Sequence, residues 1–325
     1  LLGSSISMFL GITIEQYMPL EGTFNSGISY IWIIALFLSL FNPRYLCFSY
    51  AGGIVALMNL ITGYPNINAV GIMALVGILH LAESVLIWID GHSNAMPAFF
   101  KLKNGKVVGG YIMNRMWPLP MLILFATFTI GIAGDSVAMP EWWPIIKQAG
   151  IPATADNIMY IMQPIPVVLG YGDMAITKNP IKRCRDSAVR LSIYSIILIA
   201  LAALASKITV FAYFAALFAP IGHEMLILYS QKEEEKGEPY FRHEDKGLKV
   251  LYCKKDSPGM KMNIEPGDTI TRINNIDVNS EESLKEILSQ YPSYIWVDIL
   301  KADGSIKTVE YKDYERGINH LGVLI

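Results

Sequence analysis

Five ionisable residues lie in or at the ends of otherwise apolar stretches of this 325-residue chain, and they are its first candidates for chemistry. They are His80, Glu83, Asp90 and the adjacent pair His223-Glu224. Such groups are costly in hydrocarbon unless a partner or water satisfies them, so each is a functional suspect. His80 and Glu83, three residues apart, share one helix face and are expected to pair. Asp90 closes the same stretch beside Gly91 and His92, and His223-Glu224 follows Pro220-Ile221-Gly222. A His-Glu step suggests zinc hydrolysis, in which two imidazoles one turn apart hold the ion and the glutamate polarises water. That chemistry needs His-Glu-x-x-His, whereas the sequence reads His223-Glu224-Met225-Leu226-Ile227, and Ile227 has no donor atom. Neither a metal, another cofactor nor a catalytic residue is therefore expected. The five residues read instead as a polar cluster fixing helix register, with Asp90 or Arg115 at its edge.

The elements that would position them are apolar. The chain is 53% hydrophobic and only 17% charged, against about 25% charge in soluble domains. Of its 54 charged residues, 32 fall after residue 230, so two environments share one chain. A net charge of −2 gives no basic stripe for nucleic acid. Cys47, Cys184 and Cys253 have no close spacing, which supports neither a disulfide framework nor a cysteine zinc site. Apolar runs at 1–18, 28–42, 45–62, 68–90, 118–134, 157–176, 190–206 and 208–229 predict six to eight membrane crossings in a helical domain over 1–230. Basic loops mark the inner side. Lys101, Lys103, Lys106 and Arg115 form one, and Lys178, Lys182, Arg183, Arg185 and Arg190 another, with the acidic loop of Asp135, Glu141 and Asp156 between them. This alternation needs 118–134 and 157–176 as crossings and leaves the C-terminal region cytoplasmic. Trp117, Trp142 and Trp143 read as interfacial aromatic belts.

Residues 231–245 read as a charged linker, and 246–325 as a small α+β domain. Strands are expected at 247–252, 269–273, 294–300 and 306–311, with turns at Ser257-Pro258-Gly259, Pro266-Gly267-Asp268, Asn274-Asn275 and Asp303-Gly304. A helix is expected over 280–290, with Ser280 as N-cap and Leu284, Ile287 and Leu288 on one face.

The stretch GLKVLYCKKDSPGMKMNIEPGDTITRINNIDVNSEESLKEIL resembles a bacterial-type PDZ domain. That likeness implies a partly open antiparallel β-barrel with one or two helices. It also implies a groove that binds a peptide or C-terminal tail by strand addition, with Gly247, Leu248, Lys249 and Val250 at the carboxylate and Leu248, Val250, Leu284 and Leu288 lining the apolar pocket. The His-Glu step also resembles the site-2 protease family of membrane zinc enzymes, with a degenerate motif, and implies a divergent metalloprotease using His223 and Glu224 as the alternative activity. The Pro and Gly breaks in 157–176 resemble the discontinuous helices of transporters, a third class. Taken whole, membrane helices followed by a PDZ domain resemble the MinJ-like Min-system bridging proteins of Gram-positive bacteria. The reading is of a non-enzymatic, multi-pass scaffold in a bacterial cell membrane, touching lipid and one partner peptide.

Overall fold

The computed structural model describes residues 2–17, 24–25, 27–102, 105, 107–128, 139–146, 158–241, 247–301 and 304–325. The chain forms two compact units. The first comprises Leu1–His92, Arg115–Tyr171 and Cys184–Gln231; the second comprises Ser93–Asn114, Gly172–Arg183 and Lys232–Ile325. Of the residues read as loop charges, Lys103, Lys106, Asp135 and Asp156 lie outside the described residues, as do Asp303 of the expected hairpin, 242–245 at the end of the expected linker, and Lys246.

The helices of the first unit are α1 (Leu2–Leu10), α2 (Gly27–Ser39), α3 (Phe48–Thr62), α4 (Ala69–Asp90), α5 (Pro180–Ala205) and α6 (Val210–Lys236), the last two each continuing into the second. A short 3-10 turn at Pro43–Leu46, capped by Asn42 on the Arg44 N–H, leads into α3, whose own N-cap is Cys47. Helix α4 starts where Asn68 accepts the Gly71 N–H at 2.9 Å. Apolar on all sides, α4 is the core helix of this unit, with 72% of its most apolar window buried. The same measure is 39% for α5 and 22% for α6, so most of their apolar side chains need a lipid cover. These three helices are long and apolar enough to cross a membrane; α2 and α3 are apolar but shorter.

Three crossing-length helices among the described residues are fewer than the six to eight expected. The largest departure is at 118–134 and 157–176, whose described residues are strand except for Ile176. Strand β1 (Thr13–Tyr17) pairs with β2 (Phe24–Asn25) and runs parallel to the end of β4 (Val107–Phe128), which also pairs with β3 (Met96–Lys101) and β5 (Ile158–Ala175). Hydropathy counts apolar residues but ignores hydrogen bonding. Pro118 and Pro120 in β4, and Pro164 and Pro166 in β5, would each remove an amide from a helix interior. In a strand, residues two apart point their amides to one edge, so each proline pair spoils a single edge. With those crossings gone, the loop alternation no longer fixes which side of a membrane the second unit occupies.

The second unit holds a sheet of β6 (Leu248–Lys249), β8 (Thr269–Ile273), β9 (Ile276–Asp277), β10 (Tyr294–Leu300) and β11 (Ile306–Lys312), in the order β11-β10-β8-β6 with β9 on β8. A two-stranded ladder joins β7 (Tyr252–Cys253) to β12 (Val323–Leu324), and the helices are α7 (Pro258–Lys261) and α8 (Glu281–Ser289). Alternation in β10 sends Ile295, Val297 and Ile299 into a core shared with Leu248, Val250, Ile270 and the apolar face of α8. The expected cap is present: Ser280 and Ser283 bond each other's backbone N–H at 3.1 and 3.2 Å. Asn274 and Asn275, with φ of 51° and 64°, make the tight β8–β9 turn. In the Pro266-Gly267-Asp268 turn, Asp268 accepts the Glu265 N–H and the Lys301 ammonium, both at 2.8 Å. Burial opposes the charge of Lys301, but Asp268 outweighs it and holds the ammonium above the usual lysine pKa.

The charged stretch after residue 230 does not end a helix at once, since α6 runs on to Lys236. Its last turns are tied down within the second unit. Glu234, fully buried, accepts the Ile176 and Thr177 N–H groups at 2.6 and 2.7 Å and the Thr177 hydroxyl at 2.9 Å. It also pairs with Arg183 at 3.0 Å, while Lys178 bonds Glu233 at 2.7 Å.

Candidate functional site

Two arrangements can do chemistry, one in each unit. In the second unit a groove of about 640 Å³ runs between α8 and the segment Asn319–Ile325. Leu284 and Leu288 form its apolar wall, Lys285 and Ser289 its rim, and β12 its other side. On the far side of β12, Lys254 N–H donates to Gly322 O at 2.8 Å and Leu251 N–H to Leu324 O at 2.7 Å. Backbone direction alternates along a strand, so the N–H and C=O of Val323 face the groove. Among the described residues, the N–H groups of Leu321 and Gly322 just before it donate to nothing. Gly322 has φ of +69°, and a Cβ there would fall 2.3 Å from Ser257 Cβ, so the bend into β12 requires glycine. A free strand edge beside an apolar helix face can accept an extended peptide as one more strand.

Of the residues expected at the groove, Leu284 and Leu288 line it. Gly247, Leu248, Lys249 and Val250 do not. Leu248 and Val250 are fully buried in the core, Lys249 lies with Leu248 on β8 and covers the Tyr240 ring at 4.9 Å, and Gly247 donates to Asn279. Sequence reasoning missed Leu321-Gly322-Val323-Leu324. The signal was Gly322 between the apolar residues Leu321 and Val323, a pattern that Gly247, which follows Lys246, does not share.

In the first unit three of the five residues expected to cluster, His80, His223 and Glu224, meet around Cys47 and Tyr50, of which Cys47 had been set aside. His80 does not bond Glu83. Its Nδ1 donates to Val76 O at 2.7 Å, and its Nε2 lies 3.1 Å from Cys47 Sγ and 3.2 Å from Ser49 Oγ. His223 Nε2 lies 3.7 Å from the same sulfur, and its Nδ1 is 3.3 Å from the Tyr50 hydroxyl. Tyr50 donates to Glu224 at 2.6 Å, and Arg44 pairs with the other oxygen of that carboxylate at 2.8 Å. Glu224 is thus held by two partners, unlike a glutamate free to polarise water. Tyr194 closes the cluster, bonded to Ser49 at 2.8 Å and to Ala219 O at 2.8 Å. One ligand atom from each of Cys47, His80 and His223 lies within 4.8 Å of the others, so these three could hold a metal ion. Glu83 stands one turn from His80 and is half-buried.

Asp90 does find Arg115. Its carboxylate accepts from both Nε, at 3.0 Å, and Nη2 of that guanidinium, and from Trp117 Nε1 at 2.8 Å. Trp117 and Trp143 are buried, with their indole N–H groups on Asp90 and Met8 O, whereas Trp142 is exposed.

No protein-family model matches the chain. It is 24% identical over 249 residues to the cell division topological determinant MinJ of Bacillus subtilis (strain 168), an alignment covering 76% of this chain and 59% of that protein. The chain therefore spans somewhat over half the length of the curated relative it matches.

Proposed function

We propose that this chain is a membrane-anchored adaptor whose α8–β12 groove takes the tail of a partner protein as an added strand, in the service of positioning the division site. The observation that carries the peptide-binding part is the free edge at Val323 beside the Leu284–Leu288 wall. The PDZ-like order of turns and strands agrees with it, and the N–H groups of Leu321 and Gly322, unpartnered among the described residues, suit a terminal carboxylate. The division role rests on the likeness to MinJ. Anchoring rests on α4, α5 and α6, and a cytoplasmic groove on the basic residues Lys178, Lys182, Arg185 and Arg190. Confinement to a surface raises effective concentration, so micromolar affinity is enough.

The test is selection of displayed peptides with free C-termini against the full chain in lipid nanodiscs, followed by titration of the best binder. Val323→Pro removes the N–H through which β12 would bond the peptide as a strand and leaves pairing with β7 intact. It is expected to weaken binding about tenfold, equivalent to about 1.4 kcal/mol. Ser289→Trp, substituted from the rim, should obstruct the groove and weaken binding at least as much. Thermal unfolding alike in all three proteins keeps the comparison valid. Equal affinity in all three, or no selected peptide, contradicts the proposal.

A further inference from the structure

We propose that Cys47, His80 and His223 form a binding site for a borderline-soft divalent cation, zinc(II) first among them, joining the N-terminus of α3 to α4 and α6. The argument begins with proton accounting. Val76 O can only accept, so the 2.7 Å contact puts the proton of neutral His80 on Nδ1 and leaves Nε2 as a bare lone pair. Tyr50 gives its hydroxyl proton to Glu224, so its oxygen accepts from His223 Nδ1, and His223 Nε2 is bare as well. Both lone pairs face one sulfur, at 3.1 and 3.7 Å. A thiol has one proton and can satisfy only one of them. A cation bound to the thiolate satisfies both.

The distances suit that ion. Zinc bonds of about 2.3 Å to sulfur and 2.0–2.1 Å to nitrogen, at tetrahedral angles, put the sulfur about 3.6 Å from each nitrogen. The two observed sulfur–nitrogen separations bracket this value. The surroundings are those of a metal histidine, because each imidazole donates its other N–H to a fixed acceptor: a backbone carbonyl for His80, and a tyrosine backed by the Glu224–Arg44 pair for His223. One thiolate and two imidazoles favour zinc over the hard cations magnesium and calcium. Binding releases the thiol proton to solvent, and the fourth position is left for water or an added ligand.

The experiment uses the full chain in nanodiscs, purified with a tag free of histidine, stripped with chelator and then offered zinc(II) or cobalt(II) chloride. The expected result is about one zinc per chain, and with cobalt a thiolate-to-metal charge-transfer band in the near ultraviolet. Both should be lost in Cys47→Ser, a near-isosteric change, and metal affinity should fall at least tenfold in His80→Asn and His223→Asn. Mass-spectrometric mapping of alkylation on the unaltered protein avoids any folding defect: zinc should slow alkylation of Cys47 at least tenfold. Equal zinc uptake by wild type and Cys47→Ser, a cobalt complex without the thiolate band, or alkylation of Cys47 unchanged by zinc would each overturn the assignment.

Discussion

Replacing Arg183 with methionine is expected to cost about 3–5 kcal/mol of stability, because removing one partner of a buried ion pair leaves charge uncompensated. The Arg183 side chain has no exposed surface, and neither does its partner Glu234. The guanidinium grips Asp173 with two parallel bonds, Nε to Oδ2 at 2.9 Å and Nη2 to Oδ1 at 3.0 Å, while Nη1 reaches Glu234 at 3.0 Å. Glu234 in turn holds the turn at Ile176 and Thr177, so its charge is fixed in place. Lysine cannot reproduce the fork, and Arg183→Lys should recover only part of the loss. The measurement is the chemical unfolding midpoint in detergent micelles. A loss under about 1 kcal/mol for Arg183→Met would mean that water reaches the site. Adding Glu234→Gln to Arg183→Met should restore about 1 kcal/mol or more, since it removes one stranded charge.

Gly53→Leu should cost about 3 kcal/mol, the upper end for overpacking, and its neighbour supplies the control. Pro220 inside α6 has no N–H for the carbonyl of Ala216, and Gly53 of α3 packs against that gap. A Cβ at residue 53 would lie 2.6 Å from Pro220 Cδ, in a ring closed onto the main chain, and 2.8 Å from the main-chain Ala216 O, neither of which can swing aside. At Gly52 the nearest atoms are side-chain methyls of Val76, Ile72 and Met73 at 3.2–3.5 Å, which can yield. Gly52→Ala is therefore expected to change stability by less than about 1 kcal/mol, since it also gains helix propensity. Because α3 carries Cys47 as its cap and α6 carries His223, Gly53→Leu should also abolish zinc binding. Retained zinc with unchanged stability would show that α3 and α6 pack less closely than described.

What the sequence made legible is local. The Ser280 cap, the Asn274-Asn275 turn and the β8, β10 and β11 strands follow from residues a few positions apart, and each appears near its expected bounds. Composition likewise separates an apolar region from a charged one, and α4, α5 and α6 match three of the apolar runs. Hydropathy failed at β4 and β5, where apolar content looked like a crossing and only the spaced prolines argued for strand. Arg183 read as a loop charge that marks the inner side, yet it is a buried anchor. Cys47 was dismissed for lack of a neighbouring cysteine, because its partners stand 33 and 176 positions along the chain. The groove's second wall also comes from far away, with Val323 standing 35 positions beyond Leu288 in the chain.

Strand addition at β12 is tested most directly by methylating one backbone nitrogen at a time along a peptide that binds the full chain in nanodiscs. An added strand uses alternate amides on one edge. The account predicts that methylation at every second residue weakens binding at least tenfold, and that methylation at the residues between is tolerated. Loss of affinity with no alternation, or none at any position, would mean that the peptide does not lie along Val323 as a strand.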